Sequence, residues 1–208
     1  METIALIGSV MGIGFVSGIN LYATVLTVGL CVRYQVFGIP EGMGDLEVLA
    51  HPYVLWTAGI LFAVEFIADK IPYVDSLWDV LHTFIRPVAG AILGATMAGY
   101  GDPALAAIAF LLAGGVAFTS HATKATTRVA VNHSPEPFSN WILSIVEDIV
   151  AIVGAVLAFL FPMVALIAVL IFVLVALWLL PKIVRALREQ FARVRRILFK
   201  RKDVITRA

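Results

Sequence analysis

The chain of 208 residues is 61% hydrophobic and only 14% charged, and its mean hydropathy is +0.99. Average soluble domains are about half apolar and about a quarter charged. The composition therefore excludes a disordered chain, a nucleic-acid-binding module and an ordinary cytosolic enzyme. It predicts an integral membrane protein with one transmembrane domain, residues 1–181, followed by a tail, residues 182–208.

The formal net charge of +1 conceals a strong asymmetry along the chain. Ten of the fifteen Lys and Arg residues lie between residues 182 and 207, where only Glu189 and Asp203 oppose them. Cytoplasmic segments next to membrane spans carry an excess of Lys and Arg, so we expect the C-terminus in the cytoplasm. The single cysteine, Cys31, excludes an intramolecular disulfide.

Apolar runs divide the chain into spans, each about 20 residues long if helical. They predict an all-α, polytopic membrane helix bundle of about six spans. Six spans and a cytoplasmic C-terminus place both termini in the cytoplasm, and we expect a cell membrane as the location. The predicted spans are residues 3–33, 53–68, 86–100, 103–131, 140–161 and 162–181.

The first and fourth spans share two features. Both are longer than a bilayer requires, and both change character near the middle, at Gly12 to Asn20 and at Gly114 to Lys124. Paired interrupted spans are typical of transporters built from inverted repeats. The pattern predicts two inverted three-helix halves, residues 1–101 and 102–181, with discontinuous first and fourth helices. Close packing of helices through small residues is the alternative reading of the glycines.

Three stretches resemble a known family. They are residues 17–24 (SGINLYAT), 69–79 (DKIPYVDSLWD) and 120–124 (SHATK). They are similar to the signature stretches of an uncharacterised bacterial integral-membrane family, domain of unknown function 4126. The resemblance covers most of the chain before the tail. It implies a membrane module in the inner membrane of a bacterium and supplies no activity.

Ionisable residues within spans usually face the bundle interior or water, and they mark pathways. The i,i+4 spacing of Glu65 and Asp69 places both on one helix face, and His121, Lys124 and Arg128 share a second face. A structural ion-pair network and positions at the membrane interface remain alternatives. The predicted substrate or ion pathway consists of Asn20, Glu65, Asp69, His121, Lys124, Arg128, Glu147 and Asp148.

Residues 73–82 predict a short amphipathic helix at the membrane interface. Asp75, Asp79 and His82 share one face of it. A metal site made by these three residues is the alternative, although no recognised metal motif is present.

The tail predicts an amphipathic helix with an apolar stripe that includes Ile183, Leu187 and Phe191. Its basic side chains would bind anionic lipids, at about 1 kcal/mol for each group near the surface. A nucleic-acid partner is not expected, because an apolar stripe next to a membrane span is better buried in the membrane interface.

These patterns predict a secondary transporter, linked to protons, of a small polar or anionic solute. A phosphorylated lipid head is one version of this solute. Glu65 and Glu147 would carry the proton, because burial favours the uncharged form of a carboxyl group, and Lys124 and Arg128 would attract the anion. A membrane-embedded, metal-dependent enzyme using Asp75, Asp79 and His82 is one alternative, and a non-catalytic membrane scaffold is another. The cofactor stays unknown, and a homo-oligomer is compatible with the sequence.

The predicted topology can be tested by cysteine labelling. In a Cys31→Ser background, Asp203→Cys should react with a membrane-impermeant reagent only in opened cells, because the basic tail keeps the C-terminus inside. A cysteine in the acidic loop at residues 41–47 serves as the external control. Labelling of position 203 from outside intact cells would show that the orientation is wrong.

Overall fold

The computed structural model describes residues 2–36, 44–71, 73–99, 101–132 and 137–205, and within these ranges the chain is helical with no strand. Seven α-helices and one 3₁₀ helix, Gly44–Ala50, make up the described structure. The α-helices are α1 Glu2–Ile19, α2 Leu21–Arg33, α3 Pro52–Ala68, α4 Val74–Ala98, α5 Pro103–Asn132, α6 Pro137–Leu160 and α7 Pro162–Ile205.

Four of these helices contain stretches long and apolar enough to cross a membrane: Val74–Ala98, Pro103–Val129, Ser139–Leu160 and Pro162–Arg185. Helices α1, α2 and α3 are shorter and apolar. α1 and α2 follow each other with one residue between them and together fill the first predicted span. The prediction of an all-α membrane helix bundle is confirmed, and the protein is a multi-pass membrane protein.

The predicted interruption of the first span is confirmed at Asn20. Its backbone is extended, with φ −145° and ψ 102°, and its side chain caps α2 by accepting a hydrogen bond from the Ala23 amide at 2.9 Å. Asparagine is among the best N-cap residues because its side-chain oxygen satisfies a free amide of the first helical turn. Asn20 therefore ends one helix and begins the next inside the bundle.

The predicted interruption of the fourth span is wrong, because α5 runs unbroken for 30 residues. The hydroxyls of Thr119, Thr123 and Thr127 each donate to the carbonyl four residues earlier, at 2.8–2.9 Å, so they are satisfied inside a regular helix. Gly114 serves packing, since a Cβ there would lie 2.9 Å from that of Ala91. The first half has an interrupted helix and the second half does not, although paired interruptions were the reason for predicting two halves. Nothing in the described helices supports an inverted repeat.

The predicted interfacial helix at residues 73–82 and the separate span at 86–100 are also wrong. Both belong to α4, which continues through Pro87. Asp75, Asp79, His82 and Arg86 recur at helical spacing and are all buried. The apolar residues of this half of α4, such as Leu77 at 64% exposed, face outward. The polar face points into the protein and the apolar face points toward lipid, the reverse of an interfacial helix.

Small residues bring α1, α4 and α5 into close contact. A Cβ at Gly14 would lie 2.6 Å from the carbonyl oxygen of Ala113, and one at Gly90 would lie 2.7 Å from the Cβ of Ala117. Backbones approach this closely only where the facing residues are small. The packing alternative for these glycines is confirmed, and it places α1 and α4 directly against α5.

The tail is helical through Ile205 and continues α7 without a break, across Pro181. The helix predicted from the sequence is therefore confirmed, but it is an extension of the last span. The side chains beyond Glu189 lie outside the described residues. Contact of the tail with anionic lipid stays a prediction.

Candidate functional site

Four helices and the Asn20 interruption bring ionisable side chains together inside the bundle. We refer to nine of them as the buried charge cluster, since each is buried in the described structure. α3 and its last cap residue supply Glu65 and Asp69. The other members are Asp75, Asp79 and Arg86 of α4, Lys124 and Arg128 of α5, and Glu147 and Asp148 of α6.

The cluster extends from one end of the bundle toward its middle. Asp69 and Asp75 lie at the connection between α3 and α4. Arg86 lies twelve residues into α4, which corresponds to about 18 Å at 1.5 Å per residue. That depth is about half the thickness of a hydrocarbon core. The charges are therefore not confined to one end of α4, and their positions relative to the membrane interface stay a prediction.

Arg86 lies at the deep end of the cluster and is fully buried. It forms an ion pair with Glu65 at 2.5 Å and lies 3.9 Å from Asp79. It also donates to Nδ1 of His121 at 2.9 Å. Sequence reasoning left Arg86 out of the predicted pathway and placed it at the first position of the predicted span 86–100. The recurrence of polar residues at positions 75, 79, 82 and 86 was the signal that could have found it.

Lys124 and Arg128 lie one turn apart on α5 and bind the carboxylates of two neighbouring helices. Lys124 lies 3.3 Å from both Asp69 and Glu147, and 3.6 Å from Glu65. Arg128 pairs with Asp69 at 3.0 Å and forms a close ion pair with Glu147. The predicted meeting of an acidic helix face with a basic one is therefore observed.

The helix interruption is held by cations from other helices. A break in a helix leaves carbonyl groups without their usual amide partners, and these must be satisfied within a membrane. Arg86 donates to the carbonyl of Gly18 at 3.0 Å, and Lys124 donates to that of Ile19 at 3.0 Å. Asn20 donates its amide to Asp148 at 2.8 Å. The cluster and the interruption thus form one continuous polar unit.

The partners of two histidines define their protonation. Nδ1 of His121 accepts from Arg86, and its Nε2 donates to the Asp79 carbonyl at 3.1 Å. Nδ1 of His82 donates to the Trp78 carbonyl at 2.8 Å, which leaves Nε2 to accept from the Tyr22 hydroxyl at 3.1 Å. Each ring has one donor and one acceptor nitrogen, as a neutral imidazole does.

At the end of α3, Asp69 belongs to the cluster and Lys70 borders it. Burial by itself raises the pKa of Asp69, but the charges of Lys124 and Arg128 outweigh it and hold that pKa below its usual range. Burial lowers the pKa of Lys70, which donates to the Phe66 carbonyl at 2.9 Å and reaches Ser144 at 3.5 Å.

Carboxyl groups outnumber cations in the cluster. Counted over the described residues, six buried carboxyl groups face three buried cationic groups, and half-buried Lys70 adds a fourth cation at the edge. Oxygens of Glu65, Asp69, Asp79 and Asp148 are buried without a hydrogen-bond partner in the described structure. Asp148 forms no ion pair with a described residue, although its other oxygen accepts from Asn20.

The structure places every residue of the predicted pathway in or beside this unit, but a role in transport stays a prediction for all of them. The alternative metal set is not brought together. Asp75 lies 3.7 Å from Arg128, and both ring nitrogens of His82 are occupied. No group of three His, Cys, Asp or Glu side chains that could hold a metal ion is found among the residues that the structure describes.

Fold and site together define a multi-pass membrane helix bundle with a charged interior. The chain belongs to the family described as Domain of unknown function (DUF4126), whose model matches residues 7–182. The match ends where the basic tail begins. No curated protein and no solved structure matches the chain.

The deep ion pair makes a prediction about stability. Glu65→Gln should destabilise the protein by about 3–5 kcal/mol, because it leaves the buried charge of Arg86 without its close partner. Thermal unfolding in detergent measures the change. Glu47→Gln, at an exposed site in the 3₁₀ helix, is the matched control and should unfold like the wild type. A stable Glu65→Gln protein would show that the pair does not hold the bundle together.

Proposed function

We propose that the protein is a secondary transporter linked to protons, and that Asp79 and Asp148 are its proton carriers. One observation carries the proposal: the described interior buries more carboxyl groups than cationic groups. A buried ion without a partner costs several kcal/mol. The surplus carboxyl groups are therefore neutralised by protons or by a bound cation.

The contacts distinguish two kinds of carboxyl group. Glu65 and Glu147, the carriers that sequence reasoning favoured, are each held in an ion pair by an arginine. Asp148 has no ion pair in the described structure, and Asp79 has only the 3.9 Å approach of Arg86. These two groups are free to gain and lose a proton, while the glutamates hold the helices.

Asn20 links the state of Asp148 to the shape of the first span. When Asp148 is protonated, the charge of Lys124 is shared by its three carboxylates and the Ile19 carbonyl. An ionised Asp148 attracts Lys124 away from that carbonyl and strengthens its own bond with Asn20. The helix ends on either side of the break would then move relative to α5 and α6, as alternating access requires.

The charge balance favours a cationic solute over the anionic one predicted from the sequence. Lys124 and Arg128 are both occupied by carboxylates, so an anion would have to displace these partners. A cation instead replaces protons on the surplus carboxyl groups. Exchange of protons for a cation on the same groups is a simple form of coupled transport.

Asp148→Asn tests the proposal. In proteoliposomes on a solid-supported membrane, a panel of amino acids, organic cations, carboxylates and phosphate should reveal a solute whose current depends on an imposed pH gradient. Asp148→Asn should lose that current and remain folded, because it removes a titrating group without leaving a charge unpaired. Asp102→Asn, at an exposed helix cap, should keep the current.

Two results would contradict the proposal. One is a complete panel without any current that depends on the pH gradient. The other is a current that survives both in Asp148→Asn and in Asp79→Asn. Folded, fully functional variants of this kind would favour the scaffold alternative, in which the cluster only fixes the helices.

A further inference from the structure

A cavity of about 440 Å³ lies between α2, α3 and α4, and none of the nine members of the buried charge cluster lines it. Its walls are apolar apart from Tyr22, Tyr53 and Thr57. Pockets for small molecules commonly have this size and this lining, mostly apolar with a few polar groups. The cavity takes no part in the contacts described above. Glycine and alanine bring α1, α4 and α5 into close contact, whereas α2, α3 and α4 leave this space between them.

The cavity opens toward the lipid. Tyr53 and Ile92, which line it, are 79% and 54% exposed. In a bundle surrounded by a bilayer, such outward-facing side chains contact acyl chains. A ligand can therefore reach the cavity sideways from the membrane, and a hydrophobic ligand is concentrated there.

The opposite end of the cavity adjoins the buried charge cluster. On α3, the lining residues Ala58 and Leu61 lie on the face of Glu65, seven and four positions before it. On α4, the lining residue Ala89 lies three positions after Arg86. Tyr22 joins the two regions, because its ring lines the cavity while its hydroxyl donates to His82.

We propose that this cavity binds a hydrophobic organic cation, with its apolar body between α2, α3 and α4 and its charge directed toward Tyr22 and Glu65. The excess of carboxyl groups selects a positive charge. Oε2 of Glu65, buried without a hydrogen-bond partner in the described structure, is an unused acceptor on the same face of α3 as Ala58 and Leu61. The rings of Tyr22 and Tyr53 also attract a cation through their faces.

The inference deepens the proposed function, since it names the class of the transported solute. Binding is measurable without transport, so the two can fail separately. Saturable binding without any current would contradict transport and leave the site intact. A pH-dependent current with another solute, without binding of an organic cation, would contradict the site alone.

The test uses full-length protein in nanodiscs and radiolabelled tetraphenylphosphonium, a hydrophobic organic cation. Tetraphenylborate has the same shape and the opposite charge, and it is the matched control ligand. The wild type should bind the cation saturably and the anion only as empty nanodiscs do. Equal saturable binding of both ions would overturn the selection of charge, and no saturable binding of the cation would overturn the site.

Ala89→Phe should weaken cation binding about tenfold or more, because the larger ring fills a half-buried position in the cavity wall. Ala107→Phe, at an exposed position of α5, should leave binding unchanged. Thermal unfolding confirms that each variant is folded, and Ala89→Leu replaces Ala89→Phe if the latter is not. Wild-type affinity in a folded cavity-filling variant would show that the cation binds elsewhere.

Discussion

The cost of burying charge in an apolar bundle is the constraint on which the rest of this structure depends. Charged groups inside a membrane domain persist where they pair with each other or line a polar cavity. In the described helices, Arg86, Lys124 and Arg128 each engage at least two carboxylates within 4 Å. These bonds join α3, α4, α5 and α6, so the same interactions that satisfy the charges also define how the helices are arranged.

The helix interruption follows from the same constraint. Free carbonyl groups at Gly18 and Ile19 would be unfavourable in lipid, and Arg86 and Lys124 supply the missing donors. The cations therefore have two kinds of partner, carboxylates and backbone carbonyls. A change in the charge of one carboxyl group alters the competition between them. This is the physical link between protonation and helix movement on which the transport proposal rests.

The sequence alone predicted the helical class, the break at Asn20 and the meeting of the acidic α3 face with the basic α5 face. Each of these depends on local spacing or on the rule that buried charges find partners. The predictions for α4 and α5 failed because they began a separate span at Arg86 and treated the pair Gly114-Gly115 as a break. α4 instead continues through Pro87, whose missing amide neighbouring helices compensate, and glycine in α5 serves close packing, so neither feature interrupts a helix.

The sequence could not show which carboxyl groups form ion pairs with arginine and which do not. Glu65 and Glu147 looked like isolated acids within apolar helices, which suggested switchable groups. Only the three-dimensional contacts show that each of these glutamates forms an ion pair with an arginine. One of the two arginines is Arg86, which the predicted span boundaries had placed at the start of a span. The apolar cavity between α2, α3 and α4 has no signature in the sequence, because it arises from the spacing of three helices.

The central claim is that carboxyl groups in the interior carry protons. Infrared difference spectroscopy tests it directly, since the carbonyl stretch of a protonated carboxylic acid is separate from that of a carboxylate. Wild-type protein in lipid at neutral pH should show a protonated band that shifts in D₂O and is weaker in Asp148→Asn. A wild-type spectrum with carboxylate bands alone would mean that the cluster is fully ionised, and it would contradict the account.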